Sequence, residues 1–127
     1  MKLRLSQVTV HVRDCDEAYA WYRDKLGMVK RQDETYASGI RWLTVSWPDQ
    51  PELTLVLDQR PQFPGDAGVG KQPVFVVDTD DCAGAYEMFK SRCVKFKDPP
   101  MKEVWGTTAR FCDLYGNEFH MNEKPKR

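Results

Sequence analysis

Gln7-Val8-Thr9-Val10-His11-Val12-Arg13-Asp14 runs directly into Cys15-Asp16-Glu17-Ala18-Tyr19-Ala20-Trp21-Tyr22-Arg23-Asp24-Lys25-Leu26-Gly27-Met28, and the chain then repeats that phrase. The second copy opens with Gln72-Pro73-Val74-Phe75-Val76-Val77-Asp78 and continues through Asp81-Cys82-Ala83-Gly84-Ala85-Tyr86-Glu87-Met88-Phe89. Displaced by about 67 residues, Asp14, Cys15, Ala18, Tyr19 and Tyr22 meet Asp81, Cys82, Ala85, Tyr86 and Phe89. The same displacement carries Gly39 onto Gly106, and one of about 66 carries Glu52 onto Glu118. A self-match sustained through strand, helix and later Gly and Glu signals one supersecondary unit used twice.

Within the first copy, Val8, Val10 and Val12 share one face and Gln7, Thr9 and His11 the other. Alternation of β-branched and polar residues predicts a half-buried strand whose valines meet a helix. The Gln-Thr-His face then looks at something polar or at a cavity. Asp14 is placed to cap a helix, with Glu17 completing a capping box. Ala18, Tyr22 and Leu26 fall on one stripe, and Gly27 suits the C-terminal cap. A helix is expected over 15–26.

Further along, 28–32 reads as a short strand and 33–39 as a polar connection. Two more strands are expected over 41–47 and 52–58, separated by the Pro48-Asp49-Gln50-Pro51 turn. Pro61, Pro64, Gly65, Gly68 and Gly70 mark 59–71 as a linker, a plain crossover or a loop that covers a site. The second copy predicts a strand over 72–77 and a helix from the Asp81 cap to about Arg92, with Ala85, Phe89 and Cys93 on its buried stripe. A short strand over 94–97 follows, then a break at Asp98-Pro99-Pro100. One long or two short strands around Trp105-Gly106 fill 102–112. The turn Asp113-Leu114-Tyr115-Gly116-Asn117 leads to a last strand over 118–122, and 123–127 is a tail. The expected organisation is a single domain over 1–127: module one 3–58, linker 59–71, module two 72–122. Each module runs β-α-β-β-β.

Nineteen basic and nineteen acidic side chains balance, so charge offers no case for nucleic acid or an anionic membrane as partner. No apolar run approaches the roughly 20 residues of a membrane span, and the N-terminal residues lack a signal-peptide hydrophobic region. A cytoplasmic location is the expectation. Cys15, Cys82, Cys93 and Cys112 form no CxxC pair and no zinc-ligand spacing with histidine, so core packing as free thiols is expected. Cys15 and Cys82 each open a predicted helix, and their mutual match favours a shared structural role.

Two such modules in tandem resemble the vicinal oxygen chelate superfamily, the glyoxalases, bleomycin-resistance proteins and extradiol dioxygenases. The carriers are Val12-x-Asp14 followed by Ala18-x-x-Trp21-Tyr22-x-x-x-Leu26-Gly27, and Asp113-Leu114-Tyr115-Gly116-Asn117-Glu118 before the last strand. Leu114 stands where the family usually has Pro. The resemblance implies an α+β fold in which each module curls a mixed sheet into half of an open barrel around a pocket, and a homodimer. It also implies that the metal-ligand corners of the family fall on Gln7, Thr54, Gln72 and His120. The internal repeat is read as supporting this, with Gln7 falling on Gln72 and Thr54 on His120.

Those corners supply one imidazole, two amides and one hydroxyl, with no carboxylate, whereas a catalytic divalent ion usually takes three ligands from His, Asp, Glu or Cys. No metal or other cofactor is therefore expected, although a rearranged His11–His120 site stays open. The expected function is binding of a small molecule, as in sequestration or resistance, by Gln7, His11, Thr54, Gln72, Trp105, Arg110 and His120. Arg110 either meets an anionic ligand or faces solvent. Most of Trp42, Trp47, Trp105, Tyr36 and Phe75 are expected in the core. The alternative is a glyoxalase-like lyase or isomerase, metal-dependent or with His120 as general base.

Overall fold

The computed structural model describes residues 1–59 and 68–125. Most of the predicted 59–71 linker and the end of the tail lie outside them. The chain divides into two compact units, Met1–Gly70 and Lys71–Arg127.

The first unit holds β1 (Gln7–His11), α1 (Cys15–Leu26), β2 (Val29–Thr35), β3 (Arg41–Ser46) and β4 (Thr54–Asp58). The strands form one sheet in the order β1-β4-β3-β2, with β1 parallel to β4 and the other pairs antiparallel. The Asp14 carboxylate accepts the Asp16 and Glu17 N–H groups, so the predicted cap is made. At the far end Gly27 takes φ 76°, a left-handed turn that glycine enters without strain, and its N–H closes onto the helix. Cys15, Ala18, Tyr22 and Leu26 are the buried face of α1. Val10, Val12, Leu43, Val45 and Leu57 are buried with them and complete the core. Each large apolar side chain buried there contributes roughly 1.5–3 kcal/mol.

The second unit repeats the plan: β5 (Phe75–Asp78), α2 (Cys82–Ser91), β6 (Lys95–Glu103), β7 (Gly106–Cys112) and β8 (Glu118–Glu123), sheet order β5-β8-β7-β6. Its core is built on phenylalanine. Phe111 and Phe119 stack at 4.9 Å with rings 5° from parallel, and Phe89 and Phe96 meet Phe111 at 5.4 and 5.5 Å. Neither sheet closes into a barrel, and the tandem βαβββ fold is the one the repeat predicts.

Several local expectations are corrected. Asp98-Pro99-Pro100 does not break the chain: β6 runs through it, with register shifts after Phe96 and after Asp98. Strand β6 lies at the edge of its sheet, where a missing N–H costs no ladder bond. Strand β2 extends to Thr35 because cross-strand ion pairs hold it: Arg41 on β3 bonds Asp33 at 2.9 Å. Cys93 is exposed, with φ 65° just past α2, and does not belong to the buried stripe. Cys15, Cys82 and Cys112 are buried as expected. None of the five aromatics assigned mainly to the core is fully buried, and Tyr36 and Trp105 are exposed. Trp47 instead donates its indole N–H to Leu26 O at 2.6 Å, satisfying a carbonyl at the end of α1.

The repeat is closest at the helix starts. The Cys15 N–H donates to Gln59 Oε1 at 2.9 Å, and the Cys82 N–H to Glu123 Oε1 at 2.8 Å. This correspondence fixes the last strands of the two sheets. Thr9 pairs with Val56 as Val76 pairs with His120, so Val56 is the counterpart of His120 and Glu118 that of Thr54. The expected match of Thr54 with His120 is out by two residues. The cause is the longer β3–β4 connection around Pro48 and Pro51, against the tight β7–β8 turn. In that turn Asp113 Oδ1 accepts the Tyr115 and Asn117 N–H groups.

Candidate functional site

One face of the second sheet carries α2. The other carries Arg110 on β7 and Glu118, His120 and Asn122 on β8, alternate residues that point the same way. Arg110 is directly opposite both His120 and Asp98. On this face lies a hollow of about 480 Å³, lined by Val76, Met101 and Trp105 on its apolar side and by Asp98, Glu103, Thr108, Arg110, His120 and Asn122 on its polar side. Trp105 stands in the short turn from β6 to β7, 62% exposed, and Met101 and Val76 are also open to solvent.

The floor is an ion-pair network. Arg110 donates from Nε to Asp98 Oδ2, and from Nη1 to Glu118 Oε1 at 3.1 Å. Glu118 Oε1 also lies 3.6 Å from Lys97 Nζ and 3.4 Å from His120 Nε2. The Arg110 hydrogen bond holds the Asp98 carboxyl below its usual range. Desolvation pushes the Glu118 carboxyl up, but His120, Lys97 and Arg110 together outweigh it and the net shift is downward. Among the described residues, His120 Nε2 and Asn122 Oδ1 are buried atoms with no aligned hydrogen-bond partner.

Of the residues expected at the site, Trp105, Arg110 and His120 line this hollow. Gln72 precedes β5, and its backbone N–H donates to Asn117 Oδ1 at 3.1 Å. Gln7, His11 and Thr54 belong to the first unit. Gln7 pairs with Thr54 across β1 and β4, and Thr54 Oγ1 is buried with no partner among the described residues. His11 pairs with Asp58, and its ring packs so closely on Gly68 that a Cβ there would come within 3.0 Å of it. Sequence reading missed Asp98 and Met101, hidden by the break assigned to Pro99-Pro100. Asn122 was missed too, although period-two alternation from His120 would have found it.

The donor chemistry does not fit a divalent ion. Among the described residues no three His, Cys, Asp or Glu side chains are grouped to hold one. The carboxylate beside His120 already faces an arginine and a lysine, whose charges oppose a further cation. The first sheet has Val56, which cannot coordinate, where the second has His120.

Among the described residues no helix is long and apolar enough to cross a membrane. An uncharacterised protein of Shewanella frigidimarina (strain NCIMB 400) is 32% identical over 123 residues, 92% of this chain and 90% of its own length. The crystal structure of UcmS2 is 34% identical, with a TM-score of 0.87 over 98% of this chain and 100% of that one. TnmS3, described as an antibiotic binding protein from Streptomyces sp. CB03234, is 27% identical, with a TM-score of 0.81 over 98% of each chain. The family profile of the Glyoxalase/Bleomycin resistance protein/Dioxygenase superfamily matches residues 4–121, and the chain belongs to that superfamily.

Proposed function

We propose that this protein binds a small organic molecule on the open face of its second sheet and holds it unchanged, as a sequestering protein does. The observation that carries the reading is the hollow itself. Its volume of about 480 Å³ lies inside the roughly 300–1,000 Å³ of small-molecule sites, and it joins an apolar wall to a few placed polar groups. The lack of an ion-holding donor set among the described residues favours holding over metal-assisted conversion. A relative with matching architecture, TnmS3, is described as binding an antibiotic.

The test is a thermal-shift screen of polycyclic and aromatic antibiotics, followed by calorimetric titration of the compounds that stabilise the protein. The expected result is saturable one-site binding that Trp105→Ala weakens by about 1–2 kcal/mol, the loss of one aromatic contact. Binding of equal strength in Trp105→Ala and Met101→Ala would place the ligand elsewhere and contradict the reading. The homodimer implied by the family resemblance belongs to the same proposal, and a monomer in sedimentation velocity would remove it.

A further inference from the structure

We propose that the hollow recognises an aromatic molecule by an acceptor oxygen on its edge, a carbonyl or carboxylate oxygen, and that the free arm of Arg110 reads it. The inference rests on the reading that the hollow binds a small molecule, and adds the group that fixes how the molecule lies. A guanidinium carries five N–H donors in a rigid planar fork. Arg110 gives Nε to Asp98 and Nη1 to Glu118, and among the described residues nothing bonds its Nη2. The side chain lines the hollow and is 42% exposed. An apolar edge laid over that nitrogen would strip a charged donor of solvent with nothing in return, whereas an acceptor oxygen replaces the lost hydrogen bond.

The two carboxylates do more than occupy the other nitrogens. Asp98 is on β6 and Glu118 on β8, the strands that flank β7, so the fork is held from both sides. A donor already fixed in place loses little freedom when a ligand meets it. Thr108, two residues before Arg110 on the same face of β7, brings a hydroxyl to the same hollow. The other polar groups are less suited to reading an edge. Glu103 is exposed, and His120 Nε2 and Asn122 Oδ1 are buried atoms. The aromatic body follows from the apolar side, where the exposed Trp105 indole joins Met101 and Val76. Indole and thioether surfaces both favour contact with aromatic rings.

Four probes on one ring system are titrated into the intact labelled protein at pH 7 and followed by amide shifts: 2-acetylnaphthalene, 2-naphthoate, 2-(aminomethyl)naphthalene and naphthalene. The tighter of the two oxygen-bearing probes should bind about tenfold more strongly than naphthalene and than the aminomethyl probe. Which of the two it is shows whether the natural edge is a neutral carbonyl or a carboxylate. Arg110→Lys keeps a positive charge between Asp98 and Glu118 but loses the third nitrogen of the fork. It should bring the favoured probe down to the level of naphthalene. Should that variant not fold, the ranking of the four probes on the wild type still tests the proposal. Naphthalene or the aminomethyl probe binding as tightly as both oxygen-bearing probes overturns acceptor recognition while leaving small-molecule binding in place. A folded Arg110→Lys protein that keeps the preference does the same. Failure of all four to bind overturns both.

Discussion

Gly106 opens β7 at φ +142°, with Glu123 O 2.2 Å and Asn122 Oδ1 2.7 Å from where a Cβ would sit. Both neighbours are held by β8, so a side chain has nowhere to go. Gly106→Ala should cost about 3 kcal/mol in urea unfolding, from backbone strain plus the clash. Asp33 has a different sensitivity. Hydrogen bonds from Arg41, then from Lys30, lower its carboxyl to about 2. Unfolded, it titrates near about 3.9. Its contribution is therefore complete above about pH 4 and lost as pH falls through about 2. Arg41→Met should remove that contribution, so the stability gap between wild type and variant narrows between pH 4 and pH 2 in acid titrations followed by circular dichroism. A gap that stays constant across that window would contradict the assignment. Residues lining the hollow were legible where a motif fixed their face: His120 from the turn-strand pattern, Trp105 from its place beside Gly106. Asn122 Oδ1 was not, because being unpartnered is a property of three-dimensional surroundings.

Both helices could be read from the chain because their starts and stops are chemical. The carboxylates of Asp14 and Asp81 make the caps, and Gly27 ends the first helix. Asp14→Ala should destabilise the first unit by about 1 kcal/mol, visible as a lower urea midpoint at unchanged slope. Strands buried on one face could also be read, since alternation marks them. Strand β2 could not be followed to its end, because all but one of its residues are exposed and no apolar rhythm exists to find. Strand β6 was cut short for the opposite reason: two prolines look like a break until the element is known to lie at an edge. That misreading concealed Asp98, the partner of Arg110 Nε, and Met101 on the apolar side of the hollow. In the core, Phe111 contacts Phe89, Phe96 and Phe119. Phe111→Ala should cost about 3–5 kcal/mol in the same unfolding assay.

For the whole molecule, duplication built two sheets on one plan and left the faces turned away from their helices unlike. On the first, Thr44, Ser46, Thr54, Val56 and Asp58 are buried. On the second, the matching positions carry a hollow with a charged floor and an exposed indole. The repeat made the fold legible, since a unit seen twice constrains each copy. It also misaligned the last strands by two residues, because turn length is not written in hydrophobic pattern. Function was legible only as far as the superfamily, because side-chain pairing across β6, β7 and β8 sets which groups line the hollow. The most direct test is nuclear magnetic resonance mapping of amide shifts as the compound that stabilises the protein most in the thermal-shift screen is titrated into the labelled protein. Shifts centred on Val76, Met101, Trp105, Arg110, His120 and Asn122 are the predicted result. Shifts centred on α2 or on the first unit's helix, with those six unmoved, would contradict it.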